Sequence, residues 1–184
     1  MSDTTSLGAS SAFKPQRLSA TELHAKPSAD YADKLATTQA LLRRAAAEFQ
    51  PIKQASSLGA EDVVITHLIN ALALDIPVFV LETGRLHAET LELLERTEAH
   101  SRAPIQVYRP QHEAVIEFVR HKGQNSIYDS IALRKECCGI RKIEPLRRKL
   151  SGVTAWATGQ RRDQSPGTRS AVAVLEIDTA FSTP

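Results

Sequence analysis

The chain has 184 residues, of which 42% are hydrophobic, enough for one domain with a substantial core. Its net charge of +2 conceals a polarised distribution: residues 134–169 hold ten Lys/Arg against three Asp/Glu, a local +7 against −5 for the remainder. A localised basic segment points to an anionic ligand, and the sparse aromatic residues, 5% and none interleaved with the basic ones, argue against a base-stacking nucleic-acid platform.

Residues 1–20 are rich in Ser, Thr and Ala without periodicity and predict a flexible arm. From residue 28, SADYADKLATTQALLRRAAAEF carries a loose apolar stripe through Tyr31, Leu35, Leu41, Leu42 and Phe49 and predicts a helix. An alternation follows: strand IKQASS, helix AEDVVITHLINALAL, strand IPVFVLET, helix HAETLELLERTEAH, strand IQVYR and helix HEAVIEFVRHK. Residues 136–150 predict one more helix, opened by the cysteines, then come strands VTAWATG and AVAVLEI. Strands alternating with helices of this length imply βαβ units, hence an α/β fold with a mostly parallel twisted sheet flanked by helices. Ligands of such sheets sit at the carboxyl ends of the strands.

The only cysteines are the neighbours Cys137 and Cys138. Consecutive Cα atoms lie about 3.8 Å apart, whereas disulfides favour roughly 4.4–6.8 Å, so a bond between them is disfavoured. The N-terminal residues MSDTTSLGASSAFKPQ show no apolar run and no basic lead-in, and the longest apolar runs are strand-length. A cytoplasmic chain with reduced thiols and no membrane span is expected. Two roles remain for the pair, buried structural cysteines or ligands. No two histidines share a metal spacing, and His67 and Trp156 are expected to pack in the core.

Three loops fall at predicted strand ends. In ASSLGAEDVV, residues 55–64, small residues precede a helix N-terminus whose free N–H groups suit phosphate or sulfate. The same residues also fit a plain capped turn, with Glu61 and Asp62 complementing the helix dipole. LETGR, residues 81–85, sets a Thr83-Gly84 turn before Arg85, which a surface connection would explain equally. ATGQRRDQSPGTR, residues 157–169, gathers three arginines with Gln160, Gln164, Ser165 and Thr168, a dense set of donors suited to oxyanions.

Taken together, SSLGAEDVV, LETGRLHAET, ECCGIRKIEPLRRKL and ATGQRRDQSPGTRS occur in an order and spacing that resembles the assimilatory adenylyl-sulfate (APS) reductase family, within the wider PAPS reductase group. The resemblance covers residues 55–184 and implies an adenine-nucleotide alpha-hydrolase-like (PP-loop-like) fold, with a nucleotide-binding domain over residues 21–184. It implies thioredoxin-dependent cleavage of adenosine 5′-phosphosulfate to sulfite and AMP. Carried over residue by residue, it assigns substrate binding to Ser56, Ser57, Gly59, Glu61 and Asp62 of the first loop and to Leu81, Thr83, Gly84 and Arg85 of the second. Lys142 joins them, as do Gly159, Gln160, Arg161, Arg162, Gln164, Ser165 and Arg169 of the third. Cys137 and Cys138 match the first two ligands of a [4Fe–4S] cluster, and Arg141 and Lys142 match basic neighbours that would favour thiolates.

Two departures from the family accompany this. Glu82 stands where the family usually has Asp. The family's later segment, with a Cys-x-x-Cys pair and a nucleophilic cysteine in a short tail, has no counterpart here, so no catalytic residue is assigned and two of four cluster thiolates are missing. A truncated reductase core is expected; a cluster shared between two chains, and hence a homo-oligomer, stays open. So do a non-catalytic APS- or AMP-binding fragment acting through Ser57, Gly84, Arg161 and Arg162, a 3′-phosphoadenylyl-sulfate reductase, against which the cysteine pair argues, and a nucleic-acid module using the +7 segment.

Overall fold

The computed structural model of the protein describes residues 28–165, 167 and 169–181, with 22, 25 and 26. The predicted arm at 1–20 and Thr168 lie outside the described residues. The chain divides into two units at residue 35, and the second, from residue 36 on, contains the sheet. Its elements run α1 (Tyr31–Glu48, begun in the first unit), β1 (Ile52–Ser56), α2 (Ala60–Ala71), β2 (Val78–Leu81), α3 (Ala88–Ala99), β3 (Gln106–Tyr108), α4 (His112–Lys122), α5 (Ile131–Cys138), α6 (Glu144–Leu150) and β4 (Ala155–Ala157).

The four strands are all parallel, in the order β3-β2-β1-β4. The register sets Gln54 beside Val78, Phe79 beside Gln106 and Lys53 beside Trp156. β2 is central because it is the most apolar: Val78, Phe79 and Val80 are all buried, as a strand covered on both faces requires. On one face Val78, Val80 and Ile105 pack with Leu94 of α3 and with Leu58, while Leu93 and Val107 close the cluster. Each such side chain contributes about 1.5–3 kcal/mol when fully buried.

β1 is different. It buries Ile52, Gln54 and Ser56 on one face and leaves Lys53 and Ala55 half-buried on the other. The Gln54 side chain is fully buried and fully used: its Nε2 donates to the Asp62 carbonyl at 2.8 Å, and its Oε1 lies 2.9 Å from Thr66 Oγ1. A polar residue in a core strand thus fixes the first two turns of α2 against the sheet, and with them the loop that joins the two elements.

Three sequence expectations are corrected. The AVAVLEI segment is not a strand: residues 171–177 form turn, bend and irregular backbone, and Val174 and Ile177 are 73% and 86% exposed. Its polar groups bond locally, Val172 N–H to the Arg169 carbonyl and Ala173 N–H to Glu176, in place of a strand partner. The cysteines end a helix and do not open one; α5 begins at Ile131, capped by Ser130 accepting from Leu133 N–H, and a π turn, Gly139–Ile143, separates it from α6. His67 is exposed on α2, and Trp156 is half-buried on the edge strand with its ring against Phe181 at 5.7 Å.

Candidate active site

The loop after β1 turns sharply. Leu58 adopts a left-handed backbone (φ 63°), which costs a branched residue about 1–3 kcal/mol, and its side chain is held in the core cluster. Loop amides are consumed internally: Ser57 N–H donates to Asp62 Oδ2 at 2.8 Å, Leu58 N–H to Ser56 Oγ at 3.2 Å and Gly59 N–H to Ser57 Oγ at 3.4 Å. Ser56 is therefore a buried support of the turn. Ser57 is exposed, and its hydroxyl donates to Asp62 at 2.6 Å. The N-terminus of α2 starts behind Gly59 with no side-chain cap, so its first-turn amides are the donors this end offers.

Asp62 is the junction of the site. Its second oxygen accepts the Gly159 N–H at 2.6 Å, so one buried carboxylate clasps the loop after β1 to the loop after β4. Gly159 fits only because it has no side chain: a Cβ there would lie 2.6 Å from Asp62 Oδ1 and 2.8 Å from both Asp62 N and Glu61 Cβ. Glu61 adds a second tie, 2.8 Å from Arg161. Its own backbone N–H, the Gln164 side chain and then Arg161 hold the Glu61 carboxyl below its ordinary value of 4.5. A lowered carboxylate stabilises the fold above its ordinary titration range, and this contribution is lost as pH falls through the lowered value. We expect Glu61→Gln to abolish that part of the acid dependence of the unfolding midpoint; an unchanged pH profile would show that the pair contributes nothing.

The loop after β2 is shaped by Glu82 and Gly84. Glu82 Oε1 accepts the Gly84 N–H at 2.6 Å, and Oε2 lies 3.2 Å from Arg109 Nε, so the longer acid closes the turn and holds the end of β3. Gly84 has φ +72°, where glycine is favoured, and a Cβ on it would sit 3.1 Å from Arg141. Arg141 descends from the π turn, is 9% exposed, and donates from one terminal nitrogen to the Thr83 carbonyl at 2.7 Å. Its Nε is buried without a hydrogen-bond partner among the described residues. An unsatisfied buried donor costs about 1–3 kcal/mol and awaits an acceptor.

The remaining predicted residues divide. Thr83 is buried and Leu81 ends β2. Arg85 is spent on the Gln124 carbonyl and Arg162 on the Val172 carbonyl. Gln164 Oε1 accepts from Arg161 N–H and from Arg169. Gln160 and Lys142 are exposed, and Ser165 is half-buried. Gln54 and Thr66 carry positional roles that sequence reasoning missed; a glutamine within the strand that leads into the loop was the available signal. Arg141 was marked as a neighbour of the thiols, yet its hydrogen bond goes to the loop after β2.

Cys137 is buried and Cys138 half-buried, both as free thiols. Among the described residues no group of three or more His, Cys, Asp or Glu gathers to hold a metal ion. Two adjacent thiols and one orphan donor do not by themselves complete a four-thiolate cluster site.

The carboxyl edge of the parallel sheet thus gathers a helix N-terminus, the buried Arg141 and the clasped loop that carries Arg161. Residues 51–183 match the family model described as the phosphoadenosine phosphosulfate reductase domain. The chain belongs to that family. It is 51% identical over 146 residues to the adenosine 5′-phosphosulfate reductase of Pseudomonas aeruginosa (strain LESB58), covering 79% of this chain and 54% of that protein. It is 46% identical over 148 residues to the adenosine 5′-phosphosulfate reductase of Neisseria meningitidis (strain Z2491), covering 80% and 60%. The phosphoadenylyl-sulfate reductase of Candida auris, solved as a phosphate complex, shares the fold with a TM-score of 0.62 at 23% identity, over 84% of this chain and 75% of that one. This member of the family spans a little over half the length of the bacterial relatives it matches. Among its described residues no helix is long and apolar enough to cross a membrane.

Proposed function

We propose that this chain is the adenosine 5′-phosphosulfate-binding core of a cytoplasmic reductase of sulfate assimilation. The observation that carries the reading is the Asp62 clasp, which brings the loops after β1 and β4 together at the carboxyl edge while Arg141 fixes the loop after β2 beside its glycine turn. The first-turn amides of α2 and the loop containing Arg161 receive the phosphate and sulfate oxygens, and Gly84 lets the backbone approach the nucleotide. In the reaction a thiolate attacks the sulfate sulfur, the phosphate–sulfate bond breaks and AMP leaves, giving an S-sulfocysteine. Thioredoxin then supplies the second thiol, forms the disulfide and releases sulfite. This chain's residues bind and orient the substrate; no nucleophile is assigned to them. Cys137 and Cys138 would serve as two ligands of an iron–sulfur cluster whose other ligands come from elsewhere, and a bound cluster would supply local charge beside the substrate. The test is displacement of labelled APS from the purified chain. APS is expected to compete better than its 3′-phosphorylated analogue, and tighter binding of the analogue would overturn the assignment.

Binding without turnover is a second reading, favoured by the burial of Cys137 at the end of α5. Sulfite release from APS with thioredoxin and its reductant, measured anaerobically after a family-type C-terminal segment is joined to this chain, separates the two: sustained release excludes the second reading.

A further inference from the structure

On the sheet face covered by α6, two lysines share one niche. Lys53 projects half-buried from β1, and Lys149, 5% exposed, comes from the last turn of α6. The Lys149 ammonium is held in place: it donates to Gln106 Oε1, lies 3.4 Å from the Tyr108 hydroxyl, and sits 4.4 Å and 5.7 Å from the Tyr108 and Phe79 ring centroids. Lys53 Nζ reaches toward the same place, 3.5 Å from the Lys149 carbonyl. Neither lysine is paired with a carboxylate among the described residues. Arg148, 5.8 Å from the Tyr108 ring, adds positive charge, and its own partner is Glu144. Desolvation and the neighbouring ammonium hold the Lys53 amine below its ordinary value of 10.5, against a weaker opposing influence of Tyr108.

We propose that Lys53 is a carbamylation site, whose Nζ adds reversibly to CO2 to give a carbamate paired with the Lys149 ammonium. The lone pair of the neutral amine attacks the carbon of CO2 and the N–C bond forms. One C=O π pair moves to oxygen, and the displaced N–H proton passes to water. No oxidant or reductant takes part. The adduct turns two groups of like charge into an ion pair in a half-buried setting, where such a pair is screened less than on the surface. CO2 is small and uncharged, so it enters without the desolvation cost of an anion. Lys122, exposed at the end of α4, serves as the surface comparison.

None of these groups belongs to the loops of the candidate active site, so the test does not read activity. The 184-residue chain is equilibrated with 13C-bicarbonate at mildly alkaline pH, carbamates are trapped by ethylation with triethyloxonium, and peptides are quantified by mass spectrometry. Lys53 is expected to carry several-fold more ethyl carbamate than Lys122, and Lys149→Met, checked for folding by circular dichroism, is expected to bring Lys53 down to the Lys122 level. An adduct at Lys53 no greater than at Lys122 in the unsubstituted chain overturns the proposal without any variant. Undiminished adduct in folded Lys149→Met also overturns it, because the cation would then have no part.

Discussion

Replacing Gly159 by alanine is expected to destabilise the fold by about 3 kcal/mol, the upper end of the usual cost of overpacking. The reason is where the added methyl would go. Two of the three atoms it would meet, Asp62 N at 2.8 Å and Glu61 Cβ at 2.8 Å, belong to the first turn of α2 and cannot swing aside as a side-chain tip would. The third is the Asp62 oxygen that already accepts the Gly159 N–H. Relief therefore requires the loop after β4 to lift off the helix and break the clasp. Urea unfolding reads the stability loss. Calorimetric titration with APS should show weakened binding, because the loop after β4 no longer faces the first turn of α2. A variant with the original urea midpoint would mean that the two loops are not in contact.

Asp62→Asn is expected to cost about 2–4 kcal/mol, because hydrogen bonds to a charged group are worth about 1.5–3 kcal/mol each. The carboxylate accepts three hydrogen bonds, from Ser57 N–H, Ser57 Oγ–H and Gly159 N–H. An amide of the same shape keeps one acceptor oxygen and turns two donor hydrogens toward a donor on the other side. The damage should be local as well as global: in 1H–15N spectra the amides of Ser57 and Gly159, 102 residues apart in sequence, should shift together. If only the Ser57 amide moves, the clasp does not reach the second loop.

The alternation of apolar runs with helical ones was sufficient to read the parallel α/β architecture, because β2 is buried on both faces and carries β-branched residues that little else would explain. AVAVLEI carries the same composition and misled for a physical reason. A strand needs a neighbour to bond, and composition reports the capacity for pairing and not the presence of a partner. The three loops were legible as connections at strand ends, and they follow β1, β2 and β4. Asp62 was not. As the third residue of a helix it fits an acid complementing the helix dipole, and nothing local signals that its side chain turns back to residue 57 and across to residue 159. Gln54 and Arg141 escaped similarly, because their partners at Asp62, Thr66 and Thr83 are set by the packing of α2 and the π turn against the sheet.

The run from Ile131 to Leu150 contains two helical phases, not one. A turn closed by i→i+5 bonds takes one residue more than an α turn, so everything after Ile143 is advanced by about 100° around the axis relative to an uninterrupted helix. That single offset aims two cations at different parts of the sheet: Arg141 at the carboxyl edge, against Thr83, and Lys149 at the flat face, over Phe79 and Tyr108. The cysteines lie before the offset and the basic stretch 147–149 after it, so residues adjacent in sequence answer to separate angular frames. Shortening the turn by one residue would restore helical regularity and misdirect everything beyond it.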